Sequence, residues 1–171
     1  ETQVPPMNIL TFYNAIANDG KMMRPRFVKQ VVKDGVVIKD FPPEVIKEQI
    51  AKPEAIATMQ TMLEHVVSQG LGKKAGSKLF KVAGKTGTAQ VSQGKGGYKS
   101  GPMKYWLSFA GYFPADNPRY SCIVCLKKTG TPASGGGMSG KVFHYISEGV
   151  MAKDLKMDVS IAGDSTSAYV P

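Results

Sequence analysis

Residues 82–101 read "VAGKTGTAQVSQGKGGYKSG". A β-rich run carries the tetrad Lys85-Thr86-Gly87-Thr88, then opens into a glycine-rich connection holding two more lysines, Lys95 and Lys99. The same four letters return in "LKKTGTPASGGG", as Lys128 to Thr131. What surrounds each copy decides the fold and separates chemistry from coincidence.

The run "FKVAGKTGTAQV" reads as a strand. Beyond the glycine-rich connection, "WLSFAGYFP" places Leu107, Phe109, Gly111 and Phe113 on one face and Trp106, Ser108, Ala110 and Tyr112 on the other. "ADNPR" is a turn, and "YSCIVCLKK" is the returning strand. Three consecutive antiparallel strands, apolar on both faces, need cover on both sides. The expected fold class is therefore α/β, an antiparallel sheet flanked by helices.

Three helices are expected to supply the cover. In "VPPMNILTFYNAIANDGK", Ile9, Phe12 and Ile16 form a stripe, with Asn18-Asp19-Gly20 as the stop. In "KPEAIATMQTMLEHVVSQG", Pro53 suits the first turn and Ile56, Met59, Leu63 and Val66 line one face. In "GKVFHYISEGVMAKD" the stripe is Val142 or Phe143, then Ile146 and Val150. Between the first two helices, β-rich runs flank Asp34-Gly35, the mark of a small tight hairpin. From Leu155 onward the chain is small and polar and reads as a linker.

The chain has 171 residues, of which 42% are apolar, enough for one domain with a core. No apolar run reaches the roughly 18 residues of a membrane span. The net charge of +9 suits anionic partners, or a solvated lysine surface. Nucleic acid is not expected: the arginines are only Arg24, Arg26 and Arg119, and the lysines are scattered. Cys122 and Cys125 form a C-x-x-C. Residues three apart on a strand point to opposite faces, so two core thiols are expected rather than a metal site or a disulfide. The opening "ETQVPPMNIL" and the closing "AYVP" suggest a piece of a longer protein.

Phosphate binding fits poorly. "GGGMSGKV", Gly135 to Val142, has Val142 where a P-loop needs Ser or Thr, and "LFKVAGKT" has Leu79 where the first glycine belongs. A Ser-His-Asp hydrolase fits no better. His65 and His144 both fall on amphipathic helices, and no G-x-S-x-G elbow exists. Lys-Thr-Gly on an edge strand suits recognition of a carboxylate-ended peptide. Lys85 supplies positive potential, Thr86 and Thr88 supply hydroxyls, and Gly87 admits a close backbone. A free N–H there can stabilise an oxyanion. Taken alone, the tetrad also fits a plain turn.

The wider context resembles the C-terminal part of a class B penicillin-binding transpeptidase domain. The resemblance is carried by "VAGKTGTAQ", the glycine-rich loop, "FAGYFPADNPRY", the "GG" loop and "KVFHYISEGVM", with "FYNAIANDGKMMRP" upstream. It covers residues 1–153, and "STSAYVP" resembles the lead-in to a C-terminal PASTA module, making 154–171 a linker. It implies that the first tetrad is the family's motif and that Lys128–Thr131 is a chance repeat in a loop. It also implies acyl transfer through a serine of a Ser-x-x-Lys motif, with a Ser-x-Asn moving protons and no cofactor. Lys85 and Thr88 are then the expected catalytic residues. Lys85 faces the Ser-x-Asn serine, and the Thr88 N–H forms half of the oxyanion hole. Thr86, Gly87 and Thr88 are the expected substrate-binding residues.

The implied partners are peptidoglycan stem peptides ending in D-Ala-D-Ala, β-lactams, the N-terminal part of the same domain, and division or elongation machinery. The implied place is the bacterial cell envelope, in the periplasmic domain of an inner-membrane-anchored protein. This sequence departs from the family pattern in one respect. Its only literal Ser-x-x-Lys, Ser92 to Lys95, lies downstream of the tetrad in a glycine-rich loop, and no Ser-x-Asn occurs. No nucleophile is therefore expected in this chain, and the isolated chain is expected to be inactive and to self-associate. A non-catalytic penicillin-sensing or wall-binding module on the same scaffold is the alternative.

Overall fold

The computed structural model describes residues 4–92, 97–98 and 101–154. In chain order the elements are α1 (Pro6–Ala17), β1 (Met22–Met23), β2 (Gln30–Lys33), β3 (Val36–Asp40), β4 (Val45–Lys47), α2 (Pro53–Ser68), β5 (Ala83–Val91), β6 (Lys104–Phe113), β7 (Tyr120–Thr129) and α3 (Gly140–Asp154). A 3₁₀ turn at Lys73–Ala75 follows α2, and a π-helical turn at Gly135–Ser139 runs into α3.

The expected central sheet is present, in the order β5-β6-β7 and antiparallel throughout. Cross-strand partners share a face, so the register sorts its residues. Lys85, Ala110 and Ile123 stand on one face; Thr86, Phe109 and Val124 stand on the other. The Phe109 face holds the larger core, with Phe113, Val124, Phe143 and Met151. The Phe143 ring centre lies 4.7 Å from that of Phe109 and 5.6 Å from that of Phe113. The opposite face packs Ala83 and Tyr112 under Ile16 of α1 and Leu63 of α2. Burial there, with Glu64 and Asp19 adding to it, pushes the Tyr112 hydroxyl up to about 12.

The Asp34-Gly35 hairpin forms as expected. Lys33 pairs with Val36, and both turn residues have positive φ, 51° and 78°. Only glycine, asparagine and aspartate adopt that conformation readily, which is why this dipeptide closes a two-residue loop.

The helix stripes differ in detail from the expected ones. On α1, Ala15 and Ile16 are buried while Phe12 is 48% exposed, edge-on to Tyr13. On α2, Ile56 and Leu63 are buried as expected, but Met59 is exposed and Val67 replaces Val66 in the core. On α3 the buried row is Phe143, Ser147 and Met151, leaving Val142 and Ile146 at the surface. Two adjacent rows of α3 are each apolar enough to face inward. The phenyl ring decides between them, because it buries far more area than a valine does. Of the stretch 154–171, expected to be a linker, Asp154 is the last residue of α3 and residues 155–171 lie outside the described residues.

Candidate active site

The strand β5 has β6 on one side and no strand on the other among the described residues. Lys85 to Thr88 therefore lie along an open edge, in extended conformation. Strand alternation sends Lys85 and Gly87 to the face under α1, and Thr86 and Thr88 to the opposite face. The Lys85 ammonium is exposed and donates to the Thr86 carbonyl at 2.8 Å, with the Thr86 hydroxyl 3.5 Å away. Thr86 and Gly87 are half-buried and Thr88 is exposed. The four expected residues lie together on one strand, and although Lys85 and Thr86 alternate in face, the lysine side chain folds back along the edge so that its ammonium reaches Thr86.

The turn at Gly135–Ser139 presses against this strand from the Thr88 side. A Cβ on Gly135 would stand 2.1 Å from the Gly87 carbonyl oxygen, and one on Gly136 would stand 3.1 Å from the Thr86 methyl. Gly135 leaves room for no side chain against β5, and a Cβ on Gly136 would also stand 2.2 Å from the Leu71 carbonyl oxygen. The Gly135 N–H donates to the Thr88 hydroxyl oxygen at 3.0 Å. Sequence reasoning missed Gly135. The signal was there in three consecutive glycines ahead of the last helix, but the partner strand lies some 47 residues away in the chain.

The second copy of the tetrad behaves differently. Its Lys128 and Thr129 are the last residues of β7, paired with Tyr105 and Lys104, not loop residues as expected. The strand continues because β6 is long enough to pair with them. The chain then leaves the sheet at Gly130, which has φ of 74° and donates its N–H to the Met103 carbonyl at 2.8 Å. In this copy the glycine ends the strand; in the first copy it lies inside one. Ser92 follows β5 directly and is exposed, while Lys95 lies outside the described residues. His65 is exposed on α2. His144 is engaged elsewhere, its Nδ1 2.8 Å from the Gly76 carbonyl and its Nε2 3.6 Å from Glu148.

Cys122 and Cys125 stand on opposite faces of β7, paired with Gly111 and Ser108 respectively. Both are free, and burial pushes both thiols above their ordinary range. The attacking species is the thiolate. A raised pKa leaves less of it at neutral pH, so alkylation of either residue is expected to run slower than that of an exposed cysteine and to accelerate with rising pH. Cys122, packed against the larger core, is expected to be the slower of the two. A Cys122–Cys125 disulfide found by mass spectrometry would refute this placement.

Beside Gly87 and Ala89 the sheet carries an open apolar hollow of about 430 Å³, bounded by Val4, Ile9 and Trp106. Trp106 is 42% exposed there, with the Lys127 ammonium 4.8 Å from its ring centre.

Residues 2–148 match the penicillin binding protein transpeptidase domain. The chain is 32% identical to penicillin-binding protein PbpB of Mycolicibacterium smegmatis over 158 residues, covering 86% of this chain and 24% of that protein. It is 28% identical to the peptidoglycan D,D-transpeptidase FtsI of Buchnera aphidicola over 153 residues, 89% of this chain and 24% of that protein. Among solved structures, penicillin-binding protein 3 of Mycobacterium tuberculosis superimposes with a TM-score of 0.74 at 32% identity, over 89% of this chain and 36% of that one. The same protein in complex with aztreonam gives 0.73 at 34% identity, with the same coverage. The chain spans about a quarter of the length of the curated relatives it matches. With this family match and this sheet, the chain belongs to the transpeptidase-domain family of the class B penicillin-binding proteins.

Proposed function

We propose that this chain forms the Lys-Thr-Gly strand and its supporting layers in a serine D,D-transpeptidase that cross-links peptidoglycan. The observation that carries the reading is the open edge of β5, along which an extended peptide can add by main-chain hydrogen bonds. In this reading the nucleophilic serine comes from a Ser-x-x-Lys outside this sequence. Its Oγ attacks the carbonyl of the penultimate D-Ala, its proton passes to a neighbouring base, and the terminal D-Ala leaves. The amine of a second stem peptide then attacks the ester, forms the cross-link and restores the serine.

The residues of this chain have separate tasks. Lys85, on the face under α1, raises the positive potential on the side from which the nucleophile approaches. Thr86 and Thr88 offer hydroxyls to the terminal carboxylate of the substrate, and Gly87 leaves room for its backbone. The Thr88 N–H donates to the oxyanion as charge develops on the attacked carbonyl, where a preorganised donor is most effective. β-Lactams occupy the same places and stop at the acyl-enzyme. The protein would work in the bacterial cell envelope, its transpeptidase domain on the periplasmic side of a membrane anchor, with division or elongation proteins as partners. The residues after α3 would lead toward a further module.

A fluorescent penicillin tests this. The full-length protein is expected to take up one label per chain, mapping by peptide mass spectrometry to a serine outside residues 1–171. The isolated chain is expected to take up none. An unlabelled full-length protein, or a stoichiometric adduct on Ser92, would each overturn the reading.

A further inference from the structure

Thr88 has a hydroxyl with one proton to donate and two lone pairs to accept with. One lone pair is taken by the Gly135 N–H at 3.0 Å. That N–H opens a helical turn, so it has no partner within the turn. The turn secures another of its free donors itself, since the Ser134 hydroxyl accepts from the Gly137 N–H at 2.9 Å. It also closes its own backbone, with the Met138 N–H on the Ser134 carbonyl at 2.9 Å. Gly135 is thus a donor on a self-supporting element, buried, and pressed against β5 at a distance that no side chain would permit.

An N–H cannot accept a proton, so the hydroxyl proton of Thr88 must point away from Gly135. Among the described residues no acceptor takes it. We propose that Gly135 is a positioning residue of the site: its N–H holds the Thr88 oxygen and sets the single hydroxyl proton as a donor toward an anionic group, the carboxylate of the substrate. The inference rests on the proposed transpeptidase site and adds to it the reason one threonine discriminates charge. A freely turning hydroxyl must give up its rotation before it can donate to an anion. One whose oxygen is already held by an N–H has its proton turned outward beforehand, and a preorganised donor of this kind favours a charged acceptor over a neutral one.

The test compares a carboxylate ligand with its neutral form, using benzylpenicillin and benzylpenicillin methyl ester on the full-length protein. The readout is the ratio of the two acylation rate constants. Thr88→Val is expected to lower that ratio by about tenfold or more, the loss of one hydrogen bond to a charged group. Thr88→Ser, which keeps the hydroxyl, is expected to stay within about twofold of the unmodified protein. Gly135→Ala must move the turn off β5, since its Cβ meets a backbone oxygen rather than a flexible side chain. It is expected to lower the ratio about as much as Thr88→Val does, and to lower it no further when the two are combined.

If Gly135→Ala slows acid and ester equally, or its effect adds fully to that of Thr88→Val, the residue is merely structural and the inference fails while the site reading stands. If Thr88→Val leaves the ratio unchanged, the site reading itself fails. Should Gly135→Ala not fold, hydrogen exchange of the Gly135 amide decides. Exchange is expected to quicken at least about tenfold in Thr88→Val, where the acceptor is gone, and unchanged exchange would overturn the inference.

Discussion

Thr88→Ala in the full-length protein is expected to slow acylation by a β-lactam roughly 10- to 150-fold. The substitution removes a hydrogen bond to a charged group, which contributes about 1.5–3 kcal/mol, and about 1.4 kcal/mol corresponds to a factor of ten. Lys85→Ala is expected to cost at least as much. It removes the only positive charge within the tetrad, and with it the potential that favours both the substrate carboxylate and the developing oxyanion. Lys128→Ala and Thr131→Ala change a copy whose glycine ends the strand rather than extending it. Both should leave acylation within about twofold, as surface changes generally stay within about 0.5 kcal/mol. Rate constants for the four variants decide between the copies. Loss at Lys128 and Thr131 with Lys85 and Thr88 unaffected would mean that the wrong tetrad has been assigned.

Phe143→Ala is expected to be the most destabilising single change, by about 3–5 kcal/mol, as measured for large aromatic-to-alanine truncations in cores. Its ring is fully buried between Phe109 and Phe113, on the row of α3 that faces the sheet. Globular domains are stable by only about 5–15 kcal/mol, so the loss is a large fraction of the whole. Ile146→Ala, one residue off that row and 40% exposed, should cost far less. Denaturant midpoints of the two variants measure the difference. Equal losses would show that α3 is rotated about its axis, with Ile146 turned toward the sheet.

Most of the fold was legible because it is local or periodic. Alternation along "WLSFAGYFP" assigns Leu107, Phe109 and Phe113 to one face without any knowledge of what covers them, and the structure puts all three there with Val124. Asp34-Gly35 specifies its own turn, because few residues tolerate positive φ. The tetrad with its following hairpin identifies the family. These signals are carried by neighbours in the chain, so they can be read before anything packs.

What the sequence left open required partners distant in the chain. Whether Phe143 or Val142 faces inward depends on Phe109 and Phe113, which approach only when β6 pairs with its neighbours. Met59 had every periodic qualification for the core, yet α2 packs on β5 with Ile56, Leu63 and Val67 buried, and the methionine is left exposed. Lys128 and Thr129 read as loop residues but are strand residues, because pairing with Tyr105 and Lys104 extends β7 beyond its apolar run.

The starkest case is Gly135. By itself the sequence put Lys85, Thr86 and Thr88 on one strand, since the β-rich run "FKVAGKTGTAQV" spans all three. Only the tertiary structure decided how the Thr88 hydroxyl is held. A hydrogen bond across some 47 residues leaves no trace in local propensity, and the close approach that needs a glycine exists only after the final turn has docked on β5.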